Sequence, residues 1–77
     1  MQITIKYFGQ IAELTRKEGE SLEFSGSLVS ELLETLNMKY NELKNIDFQV
    51  AQNQELVSIE TELTGGDIAL LPPFAGG

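Results

Sequence analysis

One apolar stripe limits what this chain can fold into. Leu28, Val29, Leu32, Leu33, Leu36, Tyr40 and Leu43 recur at spacings of three and four, which puts them on one face of an amphipathic helix. Ser27 precedes the stripe and is the expected N-cap, because its hydroxyl can accept from an orphan amide of the first turn. Glu31 and Glu34 fall in the first half, and Lys39 and Lys44 towards the end, an order that suits the helix dipole. No other segment carries a long helical repeat. A single helix cannot bury its stripe alone, so the rest of the chain must supply a sheet.

The remaining segments read as that sheet. Ile3, Ile5 and Tyr7 alternate with Thr4 and Lys6, so a first strand is expected with Ile3 and Ile5 facing the core. Phe8 falls on the opposite face, and Gly9 ends the run. Gln10 to Thr15 allows one or two helical turns with Ile11 and Leu14 inward. Arg16 to Gly19 is a polar turn, and Glu20 to Phe24 alternates again, so these two strands pair antiparallel. Phe48, Val50 and Ala51 make a third strand ending at Asn53-Gln54, and Leu56 to Ile59 a short fourth. Leu63-Thr64-Gly65-Gly66-Asp67 is a tight turn with two residues free to take positive φ. Ile68 to Leu71 is the last strand, apolar at all four positions, which predicts cover on both of its faces.

A chain of 77 residues is one domain. The order strand, strand, long helix, strand, short strand, strand predicts an α+β fold of β-grasp type. Its mixed sheet packs on one helix, with the first and last strands side by side in the middle. A ferredoxin-like fold is the alternative, but Leu56 to Leu63 is too short and too β-branched for its second helix. The expected domain spans 1–77, with 72–77 as a flexible tail.

Composition excludes much chemistry. With no Cys and no His there is no thiolate, no imidazole base, and no zinc site built from either. The formal charge of −7 argues against nucleic-acid or anionic-membrane partners and leaves two readings, solubility or an electropositive partner surface. Phosphate-binding glycine motifs, the nucleophile elbow and the calcium loop are absent from the sequence. Nothing places two carboxylates in a cleft. Met1 to Phe8 lack the basic and apolar regions of a signal peptide, and no apolar run approaches the ~20 residues of a membrane span. A soluble cytoplasmic protein is the expectation.

The end of the chain is where chemistry is expected. From Ile68 onward no side chain is charged. Pro72 cannot donate to a ladder, so the last strand stops there, and each proline biases its predecessor towards an extended backbone. Pro72-Pro73-Phe74-Ala75-Gly76-Gly77 can project as an arm of up to ~20 Å that ends in two residues without Cβ. Such an end can thread a narrow channel. A carboxylate on Gly77, with a pKa of ~3.5, is ionised at neutral pH and can attack the α-phosphate of ATP in a partner's site. A frayed terminus is the competing reading.

The opening strand Ile3 to Gly9, the leucine-rich helix, Val50-Ala51-Gln52-Asn53, the turn Leu63 to Asp67 and the end Leu71 to Gly77 together resemble the MoaD/ThiS family of ubiquitin-like sulfur carriers. The resemblance spans the whole chain and is greatest to the small, sulfur-carrying subunits of molybdopterin synthase. It implies that Gly77 is adenylated by a ubiquitin-activating-enzyme-like adenylyltransferase that uses ATP, then converted to a thiocarboxylate. It implies further that the tail Pro72, Pro73, Phe74, Ala75 and Gly76 enters a channel in the large molybdopterin synthase subunit. Sulfur then passes to cyclic pyranopterin monophosphate in molybdenum-cofactor synthesis. The chain is then a carrier and not an enzyme on its own, with no resident cofactor or metal. A carrier for thiazole synthesis, a ubiquitin-like protein modifier and a non-covalent interaction module are the alternatives. Phe74, Ala75 and Gln52 depart from the family's usual small, hydroxyl or apolar residues. If Ile3, Ile5, Ile68 and Leu70 pack on the helix, then Phe8, Ala69 and Leu71 share the other face as a docking patch.

Overall fold

The computed structural model describes residues 1–73. Its elements are β1 (Gln2–Tyr7), α1 (Gln10–Thr15), β2 (Gly19–Glu23), α2 (Val29–Lys39), a 3-10 turn (Asn41–Asn45), β3 (Gln49–Gln52), β4 (Glu55–Val57) and β5 (Asp67–Leu71). The sheet order is β2-β1-β5-β3-β4. β1 and β5 run parallel at its centre, and every other neighbouring pair is antiparallel. This is the expected β-grasp, with first and last strands adjacent.

The core lies between one sheet face and α2. Ile3, Ile5 and Tyr7 of β1, Ile68 and Leu70 of β5 and Val50 of β3 meet Val29, Leu32 and Leu36. Ile11, Phe24, Leu43 and Leu63 close its edges. Alternation along β1 and β5 is strict, because a two-residue period sends every second side chain to the same face.

Several expectations are corrected. The stripe to Leu43 is not one continuous helix. Tyr40 leaves helical geometry at φ −128°, ψ 89°, and Leu43 reaches the core from the 3-10 turn instead. The break lets the Tyr40 ring meet Tyr7 edge-on at 6.2 Å and its hydroxyl donate to Glu20. Ser27 is not the N-cap; Leu28 holds that position. Leu28 bridges to Glu62, and the first helix amides, Val29 and Ser30, donate to the carbonyls of Thr61 and Ile59. The Glu31 carboxylate reaches back to accept from the amides of Ser27 (2.7 Å) and Leu28 (3.0 Å), which lowers its pKa. Thus a loop distant in sequence supplies acceptors that Ser27 was expected to supply.

Other corrections are local. Leu14 is half-buried, and Thr15 takes the inward place by donating its hydroxyl to the Ile11 carbonyl at 2.9 Å. β3 begins one residue after Phe48, which packs on the core from outside the strand. β4 stops at Val57, and Ile59 is exposed in a turn where the Thr61 amide donates to the Ser58 carbonyl. Only Gly65 of the glycine pair takes positive φ, at 88°. A Cβ on Gly66 would lie 2.0 Å from Asn53 Oδ1, so this glycine serves close approach. Last, β5 is not covered on both faces: Ile68 and Leu70 are buried, but Ala69 and Leu71 are only half-buried.

Candidate functional site

Residues of the expected docking patch come together on the sheet face away from α2. Phe8, Ala69 and Leu71 line one shallow depression of about 340 Å³, joined by Lys6, Ala51, Gln54, Leu56, Asp67 and Ile68. Register explains the grouping. Gly19 on β2, Lys6 on β1, Ala69 on β5, Ala51 on β3 and Leu56 on β4 are consecutive cross-strand partners, one row across all five strands. Small residues at the centre of the row leave a trough, and Phe8 and Leu56 stand exposed at its margins.

The patch adjoins the root of the chain's last segment. β5 ends at Leu71, and Pro72 continues past the turn after β1. Gly9 there adopts φ 60°, ψ −134°, a region open to glycine alone, and a Cβ on it would stand 3.4 Å from the Pro72 ring. Phe8, Ile11, Ile46, Pro72 and Pro73 share a small niche of about 50 Å³. Pro72 and Pro73 are exposed. Phe74, Ala75, Gly76 and Gly77, which carry the remaining tail expectations, lie outside the described residues.

Sequence reasoning missed Ala51, Leu56 and Lys6 as members of this surface. Their signal was the alternation itself: once the strand order is known, each falls opposite Ala69 or its neighbour. Gln52 is a further residue that strand periodicity does not single out. It is buried, donates to the Glu62 carbonyl at 3.1 Å and accepts from the Thr64 amide at 3.0 Å. Asn53 adds a side-chain bond to Thr64 at 3.2 Å, and its amide donates to the Asp67 carbonyl. These bonds hold the turn that launches β5, so Gln52 acts on the site through β5's position.

The most perturbed carboxylate lies elsewhere. Glu20 on β2 accepts from the hydroxyls of Tyr7 and Tyr40 and pairs with Lys39 and Lys17. Desolvation pushes its pKa up, but the Lys39, tyrosine and Lys17 bonds outweigh it and hold the carboxyl at about 2. Burial and the neighbouring Glu20 raise the Tyr7 hydroxyl in turn. This cluster ties β1, β2 and the end of α2 together. Among the described residues no group of three or more acidic side chains is arranged to hold a metal ion, and no helix is long and apolar enough to cross a membrane.

Known structures share this architecture. The putative molybdopterin converting factor subunit 1 of Pyrococcus furiosus superposes with a TM-score of 0.86 at 24% identity, covering 96% of this chain and 99% of that one. Small archaeal modifier protein 1 of Methanosarcina acetivorans gives 0.81 at 25% identity, covering 99% and 96%. The complex of subunits 1 and 2 of the Helicobacter pylori molybdopterin-converting factor gives 0.70 at 27% identity, covering 100% of each chain. Residues 5–77 match the ThiS family. A match over nearly the full length, together with a β-grasp sheet from whose centre the Leu71-Pro72-Pro73 segment departs, means that this chain belongs to the ThiS family.

Proposed function

We propose that this chain is a sulfur carrier for molybdenum-cofactor synthesis whose reactive group is the carboxylate of Gly77. The carboxylate oxygen attacks the α-phosphorus of ATP in a ubiquitin-activating-enzyme-like partner, and pyrophosphate leaves. Hydrosulfide delivered by the sulfur donor then attacks the acyl carbon, the bond from that carbon to the AMP oxygen breaks, and AMP leaves a thiocarboxylate on Gly77. Within the large molybdopterin synthase subunit the tail presents that sulfur to cyclic pyranopterin monophosphate. The chain has no His or Cys, so acid–base and thiol chemistry fall to its partners. On this reading it works in the cytoplasm, where its partners and ATP are.

One observation carries the proposal: in a ThiS-family chain, a Pro-Pro-Phe-Ala-Gly-Gly sequence with no charged side chain follows the central strand β5, which itself lines a largely apolar depression. The depression suits docking, and the segment suits insertion. Similarity to subunit 1 in the Helicobacter pylori complex favours the synthase reading. Similarity to an archaeal modifier protein gives a second reading, attachment of Gly77 to lysines of other proteins. A thiazole-synthesis carrier shares the activation chemistry and differs in the receiving enzyme.

The test is direct. The chain is incubated with the purified adenylating enzyme, ATP and a sulfur donor, and its intact mass is measured. An oxygen-for-sulfur exchange localised to Gly77 supports the carrier reading, and its persistent absence sinks it. Transfer to cyclic pyranopterin monophosphate, to a thiazole precursor or to lysine side chains then separates the three outcomes.

A further inference from the structure

We propose that Lys6 is a specificity-determining residue of the docking face and selects partners that set a carboxylate side chain within an otherwise apolar surface. The inference rests on the docking reading above and extends it to the partner's chemistry.

Lys6 stands in the middle row of the open sheet face, between Gly19 and Ala69. Neither neighbour has a side chain large enough to shelter its ammonium. The residue is exposed and lines the depression with Phe8, Leu56 and Leu71. Among the described residues Lys6 makes no ion pair within 4.0 Å. Lys17 and Lys39 are both engaged by Glu20. Two acidic groups border it: Asp67, diagonal to Lys6 across the β1–β5 ladder, and Glu18, which shares a depression with Lys6 on the β1–β2 side. Neither lies within 4.0 Å of the Lys6 ammonium.

A partner that covers the depression removes water from Lys6. An ammonium desolvated without a counter-charge is expensive, so a wholly apolar partner is penalised at this point. A partner carboxylate placed opposite Lys6 offsets that cost and fixes register. Selection thus works by penalty as much as by attraction. It also divides the electrostatics: the chain's net charge of −7 steers towards cationic surroundings, while this one position requires an anion.

The experiment measures binding of the full chain to the purified adenylating enzyme and to the purified synthase large subunit of the same organism. Lys6→Met keeps the aliphatic stem and removes the charge. It should weaken binding to the synthase large subunit, the occupant to which the proposal commits, by about 10-fold or more, and Lys6→Glu by more again. Charge reversal of the facing partner carboxylate to lysine should restore binding to Lys6→Glu. Raising salt should weaken the wild type more than Lys6→Met. Lys6→Met binding the large subunit as tightly as the wild type overturns the inference, whatever it does with the adenylating enzyme. Phe8→Ser and Leu71→Ser separate the two failures. If they also leave binding unchanged, the docking reading itself falls; if they weaken it while Lys6→Met does not, only the role of Lys6 falls. Lys6 is exposed, so thermal melts of its variants should match the wild type.

Discussion

Two residues show how single side chains or their absence shape this molecule. Glu20 brings four donors from four places onto one carboxylate, and its pKa of about 2 makes it a main contributor to acid sensitivity, with Glu31 shifted in the same direction. The free group ionises at 4.5, so folding gains from the charged form above that pH and loses the gain as pH falls towards 2. The shift corresponds to at most about 3 kcal/mol. Urea denaturation should therefore show stability falling between about pH 5 and pH 2, and Glu20→Gln should flatten that slope. At neutral pH the same variant should be less stable by about 1–3 kcal/mol, because all four donors lose an ionised acceptor. Gly9 is the counterpart, a residue required for what it lacks. Its φ of 60° with ψ −134° suits no side chain, so Gly9→Ala should lower stability by about 1–3 kcal/mol in thermal or chemical melts. The Gly9→Ala strain lies beside Pro72, so the same variant should also weaken partner binding.

At the scale of elements, α2 and β5 carry the fold. Leu32 and Leu36 are fully buried against the sheet. Leu36→Ala should cost about 2–5 kcal/mol in chemical denaturation, the range for an aliphatic core truncation that leaves a cavity. The helix pattern was legible because a stripe at spacings of three and four has one geometric solution. Its ends were not. Ser27 has a good capping side chain, but the 59–61 loop supplies the acceptors for the first amides and Glu31 serves the residues before them. Tyr40 likewise continues the stripe by spacing, yet its pairing with Tyr7 and Glu20 turns the chain out of the helix. Both ends are decided by contacts with residues about twenty to thirty positions away, which local periodicity does not encode. β5 shows the same limit in reverse. Four apolar residues in a row suggested cover on both faces, whereas the fold covers only Ile68 and Leu70 and leaves Ala69 and Leu71 half-buried on the open face.

At the scale of the whole molecule, the described core and the proposed reactive end occupy different regions. The described core involves no residue after Leu70, so removing Gly76 and Gly77 should leave the melting temperature unchanged while abolishing the mass shift that marks thiocarboxylate formation. Loss of both together would show that the tail is part of the fold. Family membership and the β-grasp are in hand; the acceptor of the sulfur is what transfer assays must decide. By itself the sequence determined the single long helix, the alternating strands and an uncharged Pro-Pro-Phe-Ala-Gly-Gly end, because periodicity, proline geometry and charge are local properties. It also excluded an active site built on His or Cys, since composition alone does that. Only the tertiary structure decided that Gly19, Lys6, Ala69, Ala51 and Leu56 form one row beside the root of the tail. These residues lie on five strands spread from position 19 back to 6 and on to 69, and strand order and register, set by which faces bury against α2, are what bring them together.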